Sequence, residues 1–262
     1  MIKYLVHDIE TIPETELMDK WAEEKAKLIA KGQADPFPPI CYHKVITIGM
    51  LALDDQFRPV KGGCAAGGLT GGKPEKEMIQ RWSDAASGEM FKQPEALRLI
   101  DWHGRGFDAP VLQTRAFRYG IQLPWYFGLL PDNKGGRSQW SKEYRDRYGG
   151  HHDDLVELWT NKGAFPRPHM ADLAMLMGLP GKVGIDGSKV YEAYKAKEHK
   201  QIDTYCMQDV YQTAFILQRF AYLTGNIDLG QYQLAAAALL GFVKSADQEL
   251  YGKIDQGAVL LK

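Results

Sequence analysis

The chain has 262 residues, 45% hydrophobic and 25% charged, an ordinary globular composition at a length that fits one large domain or a domain with an insertion. Its 32 Lys and Arg nearly balance 33 Asp and Glu, for a net charge of −1. That excludes a generally basic nucleic-acid coat but not a local basic track beside an acidic site.

The first element in chain order is a strand. In Tyr4-Leu5-Val6-His7-Asp8-Ile9-Glu10-Thr11, Leu5, Val6 and Ile9 mark a buried strand over residues 3–8. A strand turns residues i and i+2 to one face, so Asp8 and Glu10 point the same way. Two adjacent carboxylates in a half-buried place repel unless a proton or a cation sits between them. The pair therefore predicts a metal site, although alone it also fits a turn cap and a surface acid. The apolar run is short and interrupted by these two acids, which argues against a secretory segment.

Residues 14–31 are charged and helix-friendly, and Asp35-Pro36-Phe37-Pro38-Pro39 ends that helix. Residues 44–53 read as a second strand, Asp54-Asp55 as a turn, and residues 57–60 as the start of a third strand in an antiparallel hairpin. Residues 62–72 are glycine-dense and read as a surface loop. A helix over 74–86 with Pro74 in its first turn, a fourth strand over 96–102, and a helix over 108–119 closed by Gly120 follow. Residues 131–150 are polar, glycine-rich and basic, and read as a mobile loop; 155–159 are ambiguous. Helices are expected over 168–177, stopped by Gly178-Leu179-Pro180, and over 186–197, 199–223 and 231–244. The apolar stretch 234–243 is half a membrane span and reads as a packed helix. The order of elements predicts an α/β fold, a mixed β-sheet whose first three strands are antiparallel, flanked by helices. No repeat or clean linker interrupts it, so residues 1–262 are expected to form a single domain.

Three more chemistry-bearing residues stand out. Asp108 lies in Trp102-His103-Gly104-Arg105-Gly106-Phe107-Asp108-Ala109-Pro110, where a strand gives way to a helix, and would also serve as that helix's N-cap. Tyr205 and Asp209, in Tyr205-Cys206-Met207-Gln208-Asp209, are spaced i, i+4 and share one face of the long helix; alone they also fit a surface hydrogen-bonded pair. Ile202, Cys206, Val210, Thr213 and Leu217 mark that helix's core face, so Asp209 sits beside it. Cleavage of a phosphodiester by two divalent ions needs several carboxylates converging on ions roughly 3.5–4 Å apart, and hard oxygen ligands suit Mg²⁺ or Mn²⁺.

Asp8-Ile9-Glu10-Thr11, Gly104-x-x-x-Asp108-x-Pro110 and Tyr205-x-x-x-Asp209 resemble, in order, the three exonuclease motifs of the DEDDy 3′-5′ exonucleases. The closest similarity is to the proofreading domain of family B DNA polymerases, in the predicted stand-alone PolB-like group. His152-Asp153-Asp154-Leu155, Leu179-Pro180-Gly181-Lys182 and Asp186-Gly187-Ser188-Lys189-Val190 look like further segments of that group. The resemblance runs over about residues 3–220, leaving 221–262 as a helical extension. It implies a ribonuclease-H-like fold and a two-ion site in which Asp8 bridges both cations. Glu10 and Asp209 would complete the first, Asp108 would hold the second partly through water, and Tyr205 would orient the attacking water. The implied activity is hydrolysis of terminal phosphodiester bonds at a 3′ end, with DNA favoured over RNA as partner and mononucleotides as product. The alternative is a catalytically silent nucleic-acid-binding module with the same fold. The departure from the pattern is His7, where relatives often carry Phe; it alternates away from Asp8 and is not expected to ligate there.

Other segments carry weaker signals. Gly104-Arg105-Gly106-Phe107-Asp108-Ala109 fits a relaxed dinucleotide fingerprint, but Asp108 would face a pyrophosphate, Pro110 removes a donor, and no acid follows about 20 residues on. His151-His152-Asp153-Asp154 looks like a transition-metal cluster, yet adjacent ligands on one short segment rarely converge on one ion, and it reads as a polar loop with Asp154 fixing the fold or supporting the site. Lys134, Arg137, Lys142, Arg145 and Arg147 interleave with Trp140, Tyr144 and Tyr148, a mix suited to phosphate contact and base stacking, though Glu143 and Asp146 dilute the charge and the segment fits equally a solvated loop with a few aromatics tucked in. Thr11, His103, Arg105, Phe107, Arg137 and Trp140 are the candidates for substrate contact, although Arg105 also fits a simple pairing with an acid. Cys41, Cys64 and Cys206 are odd in number and form no CxxC pair, so they suggest neither a zinc knuckle nor a disulfide framework, and a cytoplasmic location is expected.

Overall fold

The structure is a computed structural model that describes residues 1–34, 36–128, 144–181, 184, 185 and 187–262. Lys134, Arg137, Trp140, Lys142, Lys182 and Asp186 lie outside the described residues. Five strands, β1 (Ile2–Pro13), β2 (His43–Asp54), β3 (Pro59–Cys64), β4 (Arg98–Asp101) and β5 (His152–Asp154), form one sheet in the order β3-β2-β1-β4-β5. β1, β2 and β3 are antiparallel neighbours, while β4 and β5 run parallel to β1. This is the expected mixed sheet, with β1 at its centre, and it is consistent with a ribonuclease-H-like exonuclease fold.

Helices cover both faces. The strand period of two sends Tyr4 and Val6 to one side and Leu5 and Ile9 to the other. On the first side, Tyr4, Val6, Leu51 and Leu53 share a core with helix α7 (His199–Leu223) and with α8 (Leu229–Ala246), which packs behind it. On the second, Leu5, Ile9, Ile48 and Leu99 pack under α2 (Glu75–Ala86) and α3 (Asp108–Tyr119) through Ile79, Trp82, Val111 and Leu112. Among the described residues, the remaining α-helices are α1 (Met18–Ala30), α4 (Leu155–Trp159), α5 (Met170–Leu176), α6 (Val190–Lys195), α9 (Gln248–Gly252) and α10 (Gln256–Leu260).

Helices α3 and α7 fall where the sequence sets them, α3 closing on Gly120 in the left-handed conformation. The expected third-strand start and glycine loop differ from the structure. Gly62 and Gly63 are the continuation of β3, because Gly62 lies so close to Leu51 that a Cβ would stand 2.8 Å from Leu51 Cδ1. The turn beyond is held by Asp203 of α7, whose carboxylate accepts the Leu69 and Thr70 N–H groups at 2.9 and 2.8 Å. The expected polar loop at His152-Asp153-Asp154 is a buried strand instead, because each polar side chain has a partner. His152 meets Asp101, Asp153 pairs with Arg98 at 2.6 Å, and Asp154 accepts the Val156 N–H at 2.9 Å as N-cap of α4.

A buried ion cluster fixes α3 to the end of β1. Arg115 of α3 donates to both carboxylate oxygens of Glu75 at 2.6 and 2.5 Å and to Glu14, just past β1, at 2.6 Å. The three side chains are only 3–4% exposed. Removing one partner of a buried ionic cluster leaves uncompensated charge and costs about 3–5 kcal/mol. Arg115→Met should therefore lower stability by that amount in denaturant unfolding, far more than truncation of the exposed Arg58–Asp54 pair.

Candidate active site

The acids meet where β1 outruns its neighbour. β4 pairs with β1 only at residues Tyr4, Leu5 and Val6, so the following stretch of β1 is free of that ladder. There the Ile9 N–H is donated to Asp108 Oδ1 at 3.1 Å. Asp108 is the first residue of α3, and Phe107 holds the N-cap position with no side-chain capping bond. The expected cap role is thus replaced by a bond to β1, which sets Asp108 beside the residue between Asp8 and Glu10. Asp8 and Glu10 project from the α7 face as the strand period requires. Directly after Glu10 the β1–β2 register slips, an irregularity of the kind that re-aims side chains near sites.

Helix α7 brings the remaining groups. Asp8 lies opposite Gly49 of β2, and a Cβ on Gly49 would stand 2.9 Å from Val210 Cγ2 and 3.0 Å from Cys206 Sγ. Glycine here lets α7 settle onto the sheet directly beside Asp8. Cys206 Sγ accepts the Gly49 N–H at 3.2 Å and reaches the backbone and side-chain oxygens of Asp8 at 3.5 and 3.6 Å. One turn on, Asp209 joins Asp8 and Glu10, and one carboxylate oxygen from each lies within 4.8 Å of the others. Tyr205 is hydrogen-bonded to Asp209 and shares the electrostatic environment of Glu10 and Asp8. Cys206 was legible only as a core residue; its contact with Asp8 depends on Gly49, which no local pattern reveals.

The electrostatics follow from crowding in a dry place. Asp8 is pushed well above the usual carboxylate range by burial and by Asp108, Asp209 and Glu10. Asp108 is raised by burial and by Asp101 at the end of β4. The Tyr205 hydroxyl is raised by burial and the same acids, so it stays protonated. A set of three carboxylates sharing one small space fits a divalent cation with oxygen ligands, which would cancel the repulsion that now raises Asp8.

The candidates for substrate contact divide. Thr11 and Phe107 meet at one aromatic cluster: Thr11 Oγ1 lies 3.0 Å from His43 Nδ1, and the Phe107 and Phe37 rings lie 4.9 and 5.1 Å from the His43 ring. Because His43 Nε2 lies 3.1 Å from the Pro38 carbonyl, Nε2 carries the proton and Thr11 donates to Nδ1. Arg105 is instead a brace. Its guanidinium donates to the carbonyls of Tyr144, Arg145, Asp146 and His152 and pairs with Glu157 at 3.6 Å. His103 is exposed, and with Arg105, Arg147 and Arg167 it lines a cleft of ≈ 440 Å³. Arg137 and Trp140 lie outside the described residues.

The family model described as a predicted 3′-5′ exonuclease related to the exonuclease domain of PolB matches residues 35–255. The match includes Asp108, Tyr205 and Asp209 and begins after Asp8 and Glu10. No curated protein matches the chain.

Replacing Asp8 by the isosteric amide removes a carboxyl whose ionisation burial and the neighbouring acids oppose, while keeping an acceptor for Cys206. Asp8→Asn should raise the stability of the protein in chelator at pH 7 by roughly 0.5–2 kcal/mol, the usual gain when functional strain is relieved. A thermal scan of both proteins in chelator checks it.

Proposed function

The chain belongs to the predicted 3′-5′ exonucleases related to the exonuclease domain of PolB, and from that premise we propose that it hydrolyses terminal phosphodiester bonds at the 3′ ends of nucleic acid, single-stranded DNA foremost. The observation that carries this reading is the convergence of Asp8, Glu10 and Asp209 within 4.8 Å, with Asp108 bonded to the intervening Ile9 N–H. In this reading Asp8, Glu10, Asp108 and Asp209 would hold the divalent cations, Mg²⁺ or Mn²⁺. When bound, such ions lower the pKa of the attacking water and offset charge on the leaving 3′ oxygen.

The chain's own groups do the positioning. Tyr205 keeps its proton and, anchored by Asp209, can hydrogen-bond a water beside the acids; orientation, not proton abstraction, is its role. The Phe37–His43–Phe107 cluster offers faces on which terminal bases can stack, with Phe37 69% exposed; stacking of this kind tolerates any base. On the other side, Tyr205 and Gln208 line a cleft of ≈ 580 Å³ whose wall carries Lys197 and Lys200, cations suited to phosphate. Residues 1–262 act as one exonuclease domain, residues 221–262 forming an extension whose α8 shares a core with α7. No helix among the described residues is long and apolar enough to cross a membrane, and a cytoplasmic setting is part of the proposal.

Asp8→Ala should reduce Mg²⁺-dependent release of mononucleotides from a 3′-labelled oligonucleotide to background, and Tyr205→Phe should lower the rate about 10²-fold without altering the thermal transition. A wild-type rate in purified Asp8→Ala would remove the site from the chemistry. Comparing single-stranded DNA, duplex DNA and RNA, each blocked at one end, should give fastest loss from a free 3′ end of single-stranded DNA. A Mn²⁺ titration without calorimetric two-ion binding, together with no turnover on any substrate, would favour the silent-module alternative.

A further inference from the structure

The reverse face of β1 carries a second convergence, unused by the site above. His7 alternates away from Asp8 and packs near Trp82, 5.9 Å between ring centroids. Asp101 closes β4 and His152 opens β5, so three neighbouring strands, β1, β4 and β5, each contribute one side chain. The residues are buried, with only 1%, 1% and 3% of their surface exposed for His7, Asp101 and His152. Asp101 Oδ2 lies 2.5 Å from His152 Nε2 and 3.6 Å from His7 Nε2. One ligand atom from each of the three lies within 4.8 Å of the others.

Hydrogen bonding leaves this group incomplete. Asp101 Oδ1 accepts the Gly104 N–H at 3.1 Å, so Oδ2 is the oxygen that faces both imidazoles. A single proton joins it to His152, while neither ring nitrogen of buried His7 has a hydrogen-bond partner among the described residues. A buried polar group left in this way costs about 1–3 kcal/mol. Gly104 is part of the arrangement: a Cβ there would stand 2.1 Å from Asp101 Oδ2, so any other residue would displace the carboxylate.

We propose that His7, Asp101 and His152 supply three ligands to a site for one borderline divalent cation, with Zn²⁺ the best match and a water as the fourth ligand. Two imidazole nitrogens and one carboxylate oxygen are ligands that Zn²⁺ takes readily, whereas the all-oxygen set around Asp8 suits Mg²⁺ or Mn²⁺. Zinc bonds of about 2.0–2.2 Å in a tetrahedron set ligand atoms roughly 3.3 Å apart. The His7–Asp101 spacing is already close to that, and the His152–Asp101 spacing opens as the ion replaces the shared proton. Segment 151–154 alone could not hold an ion, because its neighbours in sequence point to different places. His152 becomes a ligand only through partners on β1 and β4. An ion there would tie these three strands together directly behind Asp8, and the site stands whether or not the acids on the other face cut nucleic acid.

The test uses the full chain, freed of loosely held ions and titrated with Co²⁺ alone, followed by visible absorption. One equivalent with the intense ligand-field bands of a tetrahedral, nitrogen-containing site is expected. It should persist in the Asp8→Asn, Asp209→Asn double variant and vanish in His152→Gln. As a control independent of folding of that variant, Zn²⁺ added to wild-type protein labelled with ¹⁵N-histidine should shift the ring nitrogens of two histidines. Loss of the bands in the double variant, or ring nitrogens unmoved at Zn²⁺ saturation, would overturn the site and leave the trio a hydrogen-bonded group.

Discussion

Several carboxylates are held together in a place too dry to tolerate them, and much of the surrounding structure is arranged to keep them there. Asp8 and Glu10 repel one another and Asp209 from the same face of β1, and burial makes each charge more costly. A chain free to relax would turn one of them to water. Here β1 is locked between β2 and β4, so a slip of one residue would send Tyr4 and Val6 out of their core. Asp108 is bound to the β1 backbone itself, through Ile9. The Arg115 cluster fixes α3, and with it Asp108, to the end of that strand.

The same constraint explains the small residues around the site. Gly49 exists on β2 because α7 must approach the sheet closely enough for Asp209 to reach Asp8. Cys206, packed in that narrow gap, is small enough to fit and still offers an S–H to Asp8; its own ionisation is suppressed by burial and the nearby acids. Stability is surrendered at the acids and recovered in the two cores on either side of the sheet, a division common at functional sites.

Much of this was legible in the sequence, for reasons that can be named. The long helix α7 shows its core face in the spacing of Ile202, Cys206 and Val210, and α3 shows its end in Gly120. Asp8, Glu10, Tyr205 and Asp209 lie on elements with clear local signals, so their faces could be assigned before their distances. Elements whose stability comes from elsewhere were not legible. β5 has three residues, all polar, and is a strand only because Asp101, Arg98 and the start of α4 satisfy them. The glycines of β3 look like a loop until Leu51 is set against them. Asp108 looked like a cap because a cap is the local use of Asp before a helix; its partner is 99 positions away. Arg105 reads as a contact to the scissile strand or a partner for an acid; it pairs with Glu157, and its other partners include carbonyls about 40 residues on, Tyr144, Arg145 and Asp146.

β1 thus has two chemical faces, acids toward α7 and His7 toward α2, and the central claim concerns the first. The most direct measurement is the anomalous scattering of Mn²⁺ in crystals grown with a short single-stranded DNA. The account predicts two peaks roughly 3.5–4 Å apart, with the Asp8 carboxylate between them, Glu10 and Asp209 on one and Asp108 beside the other. Absence of any peak at Asp8, or Mn²⁺ held only by residues away from these four acids, would contradict it.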